Sequence, residues 1–142
     1  MADKSKVAEA DLYYLAGLID GEGCFQISRK KGKGKVSYNA KLVIGMGGPV
    51  VPTLHKRLGI GTVYFKKPQK AGWRGIWVWT LCKNDLWPLL PSLIPLLIGK
   101  AEQATAVFEV YESQGFHVGR GCGAEQCEVA LNALRDANQK GA

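Results

Sequence analysis

Acidic side chains are missing from the middle of this chain: between Glu22 and Asp85 there is neither an aspartate nor a glutamate. Thirteen of the nineteen Lys and Arg residues fall inside that window, so the formal net charge of +7 understates how one-sided the middle is. An ordinary solvated face carries both signs. A face of one sign excludes a basic partner and fits a polyanion, nucleic acid above all.

Other absences narrow the class further. The four cysteines, Cys24, Cys82, Cys122 and Cys127, show no tight metal-ligand spacing, and His117 with Cys122 and Cys127 fits no common zinc finger and lacks a fourth ligand. No apolar signal-peptide core opens the chain, so an intracellular, reduced protein is expected. The apolar stretch from Leu86 to Ile98 is broken by Pro88, Pro91 and Pro95 and is too short to cross a bilayer, which argues against a membrane role. With 142 residues there is room for one domain and not two: a flexible leader over 1–10 and a single domain over 11–142, with its core at about 11–112 and a linker and helix over 113–142.

What is present begins with a helix. From Leu12 to Ile19 every residue is apolar, aromatic or Gly, which predicts a helix buried on all sides, with Asp11 as its N-cap. Asp20 and Glu22 then stand at or just past its C-terminus, where the partial negative charge of free carbonyls costs an anion a few tenths to about 1 kcal/mol. A divalent cation would reverse that sign.

Strand sequence follows. Cys24–Arg29 alternates, with Phe25 and Ile27 on one face and Gln26, Ser28 and Lys30 on the other; the loop Lys31–Gly34 leads to Lys35–Leu42, whose polar face holds Lys35, Ser37, Asn39 and Lys41. Val50–Leu58 has helical spacing with Pro52 in its first turn, and Gly59 ends it. Thr62–Lys66 and Gly75–Leu81 read as a second hairpin around a basic loop, with Trp77 and Trp79 at one parity, as core residues, and Trp73 at the loop end. A proline-rich helical stretch from Asp85, a helix over about Ile98–Tyr111, a Gly-rich linker over Gly115–Gly123 and a helix over Ala124–Ala137 complete the order.

The stretch Leu15-Ala16-Gly17-Leu18-Ile19-Asp20-Gly21-Glu22-Gly23 resembles the motif of the LAGLIDADG homing endonucleases, with Gly21-Glu22-Gly23 where the family name has Ala-Asp-Gly. The resemblance runs over about residues 10–112 and includes Leu58-Gly59-Ile60-Gly61 and Leu97-Ile98-Gly99-Lys100-Ala101-Glu102-Gln103-Ala104. It implies an α+β fold: a homing-endonuclease-like α-β-β-α-β-β-α half-domain, a four-stranded antiparallel sheet with helices on one face and DNA on the other.

What the resemblance implies about activity is a Mg²⁺-dependent, site-specific endonuclease that breaks both strands of a long near-palindromic DNA site as a homodimer, in intron or intein homing. Glu22 and Lys100 would be catalytic, Glu22 and the Gly21 carbonyl would bind Mg²⁺, with Mn²⁺ as a substitute, and no small-molecule cofactor is expected. The polar sheet face would contact double-stranded DNA through Gln26, Ser28, Lys30, Lys35, Ser37, Asn39 and Lys41, joined by Tyr64, Lys66 and Arg74 from the second hairpin. Two chains would pair through Leu12, Leu15, Ala16, Gly17, Ile19 and Asp20. The implied setting is a bacterial or phage-infected cytoplasm, a mitochondrion or a chloroplast. An RNA-binding intron maturase and a non-cleaving, sequence-specific DNA-binding protein are the alternatives on the same scaffold. One departure stands out: Met46 falls where related enzymes often carry a polar side chain that orders active-site water.

Overall fold

The apolar run at the start of the chain forms α1, Glu9–Glu22, in a computed structural model that describes residues 7–32, 35–113 and 124–140. The helix begins earlier than its apolar residues suggest. Glu9 and Ala10 belong to it and Val7 packs against the core, so only residues 1–6 of the expected leader lie outside the described residues. Asp11 is not its cap. The Asp11 carboxylate takes the Arg57 guanidinium at 2.7 Å instead, and the N-cap position is Ala8, which makes no side-chain capping bond.

α1 leads without a loop into β1, Gly23–Gly32, which pairs antiparallel with β2, Lys35–Met46. Both strands run longer than their alternation predicts. Gly32 pairs with Lys35, so the connection is two residues, Lys33 and Gly34, which lie outside the described residues. After α2, Val50–Leu58, the chain turns at Gly59 with φ of 68°, a left-handed conformation that suits glycine, and enters β3, Thr62–Lys66, and β4, Ile76–Cys82. The sheet order is β1-β2-β4-β3, all neighbours antiparallel.

The prolines between Pro88 and Pro95 chop the next stretch into short turns, Lys83–Asp85, Trp87–Leu89, α3 at Leu90–Leu93, and Ile94–Leu96. α4, Ala101–Ser113, and α5, Ala124–Lys140, follow and pack on each other. The linker expected over Gly115–Gly123 lies outside the described residues, as do His117 and Cys122.

Helices and sheet meet along one face. Phe25 and Ile27 from β1, Leu42 and Ile44 from β2, and Trp79 and Leu81 from β4 form a core with Leu15 and Ile19 of α1, Leu54 of α2, Leu90 of α3, Val107 of α4 and Leu131 of α5. Trp79 is fully buried, its indole N–H donating to the Ile60 carbonyl at 2.9 Å, as a core residue rather than a base-stacking platform. Trp77 is half-buried on the same face, its ring against Phe65. Within one chain α1 is covered on one side: Leu15, Ala16, Leu18 and Ile19 are buried, while Tyr13 and Tyr14 are 58% and 56% exposed. A helix lying on a sheet has one side to give to it.

Candidate active site and nucleic-acid interface

The register turns sequence alternation into a surface. Gln26 stands opposite Lys41, Ser28 opposite Asn39, and Lys30 opposite Ser37, so six of the expected contact residues share the sheet face turned away from the helices. All six are exposed. Tyr64 and Lys66 of β3, paired with Val78 and Ile76, fall on the same face, and Tyr64 is 56% exposed. Arg74 is exposed in the loop that enters β4. Lys35 pairs through its backbone, and its side chain lies outside the described residues.

At one border of this face α1 ends, and its two carboxylates part company. Asp20 is half-buried and accepts three backbone N–H bonds, from Ile98 at 2.9 Å and from Gly99 and Lys100 at 3.1 Å each. These N–H groups include the unpaired donors that precede α4, whose first turn closes with the Ala104 N–H on the Lys100 carbonyl. Asp20 thus ties the end of α1 to the start of α4. The unfavourable placement of an anion at a helix C-terminus is offset by donors at the N-terminus of another helix, with no metal required for this residue.

Glu22, two residues on, is exposed. Beside it the Lys100 ammonium donates to the Gly23 carbonyl, across the junction of α1 and β1. Gly23 is obligatory there: a Cβ would lie 2.8 Å from the Ile19 carbonyl oxygen. The structure therefore brings Lys100 to the same corner as Glu22 and Gly21. The Asp20 latch is what sequence reasoning missed; a carboxylate followed far downstream by a Gly-Lys helix start carries no local signal of the pairing.

Against this geometry stand the comparisons with known proteins. Residues 15–77 match the family model described as LAGLIDADG endonuclease. That match spans less than half of the chain and marks the stretch as similar to the LAGLIDADG endonucleases. No curated protein sequence gives a significant match. Among solved structures, the fold is similar to the archaeal intron-encoded homing endonuclease I-Vdi141I complexed with DNA, at 19% identity and a TM-score of 0.68, over 94% of this chain and 86% of that one. It is also similar to the homing endonuclease I-CvuI in complex with the I-CreI target in the presence of Mg, with the DNA not cleaved, at 18% identity and a TM-score of 0.66, over 92% and 82%. I-GzeII in complex with its DNA target matches at 14% identity and a TM-score of 0.64, over 87% of this chain but 43% of that longer one. At these identities the likeness establishes the fold: the half-domain of LAGLIDADG homing endonucleases, four antiparallel strands with helices on one face.

The expected dimer residues divide. Leu15, Ala16 and Ile19 are 0 to 2% exposed and are consumed by the chain's own core. Leu12 and Asp20 are half-buried, and Gly17 is open. Met46 has even parity on β2, opposite Trp77, and packs against the core on the helix side. It therefore does not reach the open face. Among the described residues no three His, Cys, Asp or Glu side chains gather in a way that could hold a metal, and Cys24 and Cys82 are free thiols. Among the described residues no helix is long and apolar enough to cross a membrane.

Proposed function

We propose that this chain is a LAGLIDADG homing endonuclease, a homodimeric, Mg²⁺-dependent enzyme that hydrolyses both strands of a near-palindromic duplex. The observation that carries the reading is the corner where the Lys100 ammonium bonds the Gly23 carbonyl, one residue past the exposed Glu22, at the border of a sheet face bearing cationic and amide side chains and no acid.

The donors present fit a divalent ion. Glu22 offers a carboxylate free of ion pairing among the described residues, and Gly21, an exposed residue of the same helix end, offers a backbone carbonyl. Both are hard oxygen donors of the kind Mg²⁺ and Mn²⁺ accept. One chain supplies one such carboxylate, and a site of several ligands needs a second copy. Bound there, the metal would polarise the phosphoryl group and lower the pKa of an attacking water. The chain's own residues do the rest. Glu22 holds the oxygen-rich corner, Lys100 keeps a positive charge where negative charge grows on the phosphorane, and Asp20 fixes the turn that carries Lys100. Gln26, Ser28, Asn39 and Lys41 hold the duplex in register over that corner.

The dimer rests on glycines that the single chain does not need. An added Cβ at Gly17 or Gly21 would meet nothing within 4 Å, so neither glycine is required by its own fold. A helical glycine costs up to about 1 kcal/mol relative to alanine. Ala10, Tyr14, Gly17 and Gly21 recur at four, three and four residues and are all exposed, a stripe suited to close approach of a second α1. Substituting Gly17→Leu is expected to leave a folded monomer by sedimentation; a wild-type chain that already sediments as a monomer on DNA would refute the pairing.

The direct test is cleavage of a randomised duplex library, or of the insertion locus, with Mg²⁺ against EDTA. Metal-dependent double-strand cuts at one sequence support the proposal. Tight binding to structured RNA, or to duplex with no cuts in any divalent metal, would move the function to a maturase or a DNA-binding regulator.

A further inference from the structure

A second feature of the open face lies away from Glu22. β4 ends at Cys82, opposite Lys41, while β1 and β2 continue as a projecting two-stranded ribbon. Beyond that end the edge of β2 loses its strand partner, and the Tyr111 hydroxyl from α4 takes over, donating to the Ala40 carbonyl. The same hydroxyl oxygen accepts the Lys83 backbone N–H at 2.9 Å. Tyr111 is 1% exposed, so this bridge is fixed from inside the protein.

Lys83 is held by it in an unusual state. Its φ of 51° makes it the one positive-φ residue other than glycine among the described residues. A lysine gains nothing locally from a left-handed conformation that glycine would adopt without strain. Strain of this kind persists where the surroundings over-determine it, and an outlier invites a functional explanation. Here the explanation is next to it. The turn forms one wall of a cleft of about 330 Å³ whose open-face lining includes Ser28, Asn39, Lys41 and Lys83. No carboxylate lines the cleft among the described residues, and neither Lys41 nor Lys83 has an ion pair among them.

The geometry points to this cleft as a phosphate clamp, in which Lys83, set by Tyr111 at the shoulder where β4 ends, grips a phosphodiester of the DNA backbone beside the β1–β2 ribbon. The assignment rests on the proposal that the open face binds duplex DNA, and it adds a residue and a site that the motif does not name. Base edges and phosphates are then divided between neighbours: the ribbon's amide and hydroxyl side chains point into the groove, and Lys41 with Lys83 fixes the strand that flanks it.

The experiment is a salt titration of binding to a random-sequence duplex, with thermal melting of each variant measured alongside. Lys83→Gly removes both the charge and the strain. It is expected to raise the melting temperature while lowering affinity and flattening the log K against log salt slope by about 0.9 per chain, one phosphate contact. Lys83→Gln is expected to flatten the slope equally, Lys83→Arg to preserve it, and the loss to be the same on A·T-rich and G·C-rich duplexes. A Lys83→Gly variant with unchanged slope, or with a lower melting temperature, would overturn the clamp. If the wild type binds no duplex at all, the reading of the open face fails as well, and that result is visible before any variant is compared.

Discussion

Along β1, Phe25 and Ile27 lie in the core while Gln26, Ser28 and Lys30 stand in solvent, and β2 repeats the division with Leu42 and Ile44 against Asn39 and Lys41. Each strand thus belongs to two regions with opposite demands. On the helix side the demand is packing. Ion pairing occurs there too, where Arg29 and the Tyr38 hydroxyl converge on Glu128 of α5 at 2.8 and 2.7 Å. On the open side the residues make few contacts with one another, and charge of one sign accumulates without internal compensation. A fold that needed only stability would mix the signs. The contrast separates a helix side that supports the fold from an open side whose single-sign charge is what the proposed duplex binding would use.

Substitutions of neighbouring residues should break the two sides differently. Ile27→Lys would bury an unpaired charge in the core and is expected to abolish folding or cost more than about 4 kcal/mol in denaturant titration, whereas Ser28→Lys should change stability by no more than about 0.5 kcal/mol. Equal losses at the two positions would mean that the two faces are not distinct. Asp20→Ala strips three backbone N–H groups of their acceptor and is expected to cost about 1.5–3 kcal/mol, and to slow cleavage because the turn carrying Lys100 loosens. Asp20→Asn, with one acceptor oxygen left, should fall between the two.

The smallest effect is one of pH. The Tyr38 hydroxyl bond, and then Arg29, hold the Glu128 carboxyl below its ordinary 4.5. A lowered folded pKa contributes stability that is present above the unfolded value and is lost as pH falls through the folded one, so acidification below about pH 4.5 should weaken the docking of α5. Tyr38→Phe should remove most of that acid dependence, read by melting temperature against pH; an unchanged acid limb would show that the contact contributes nothing.

The fold was legible because its strands alternate strictly and its helices are bounded by glycine and proline. Val50–Leu58 and Thr62–Lys66 match their expected bounds, since Gly59 and Gly61 fix turns with positive φ on either side of Ile60. The first hairpin extends past its expected ends because exposed Lys30, Lys31 and Val36 pair through backbone hydrogen bonds that no side-chain pattern announces. The site was legible only where chemistry is local. Glu22 follows from the motif, but Asp20 looks equally acidic, and only the distant turn at Ile98–Lys100 separates a structural carboxylate from an open one. Which face of α1 stays free is not legible for a related reason: an all-apolar helix has no polar side to show which residues its own chain will cover.

The central claim is that the open face binds DNA while Glu22 serves the chemistry. The measurement that tests it most directly is duplex binding and cleavage by Glu22→Gln side by side with the wild type, on the same target. The account predicts binding and melting temperature within about twofold and about 1 °C of wild type, with cleavage reduced by about 10²-fold or more. Cleavage that survives the substitution, or binding that disappears with it, would contradict the account.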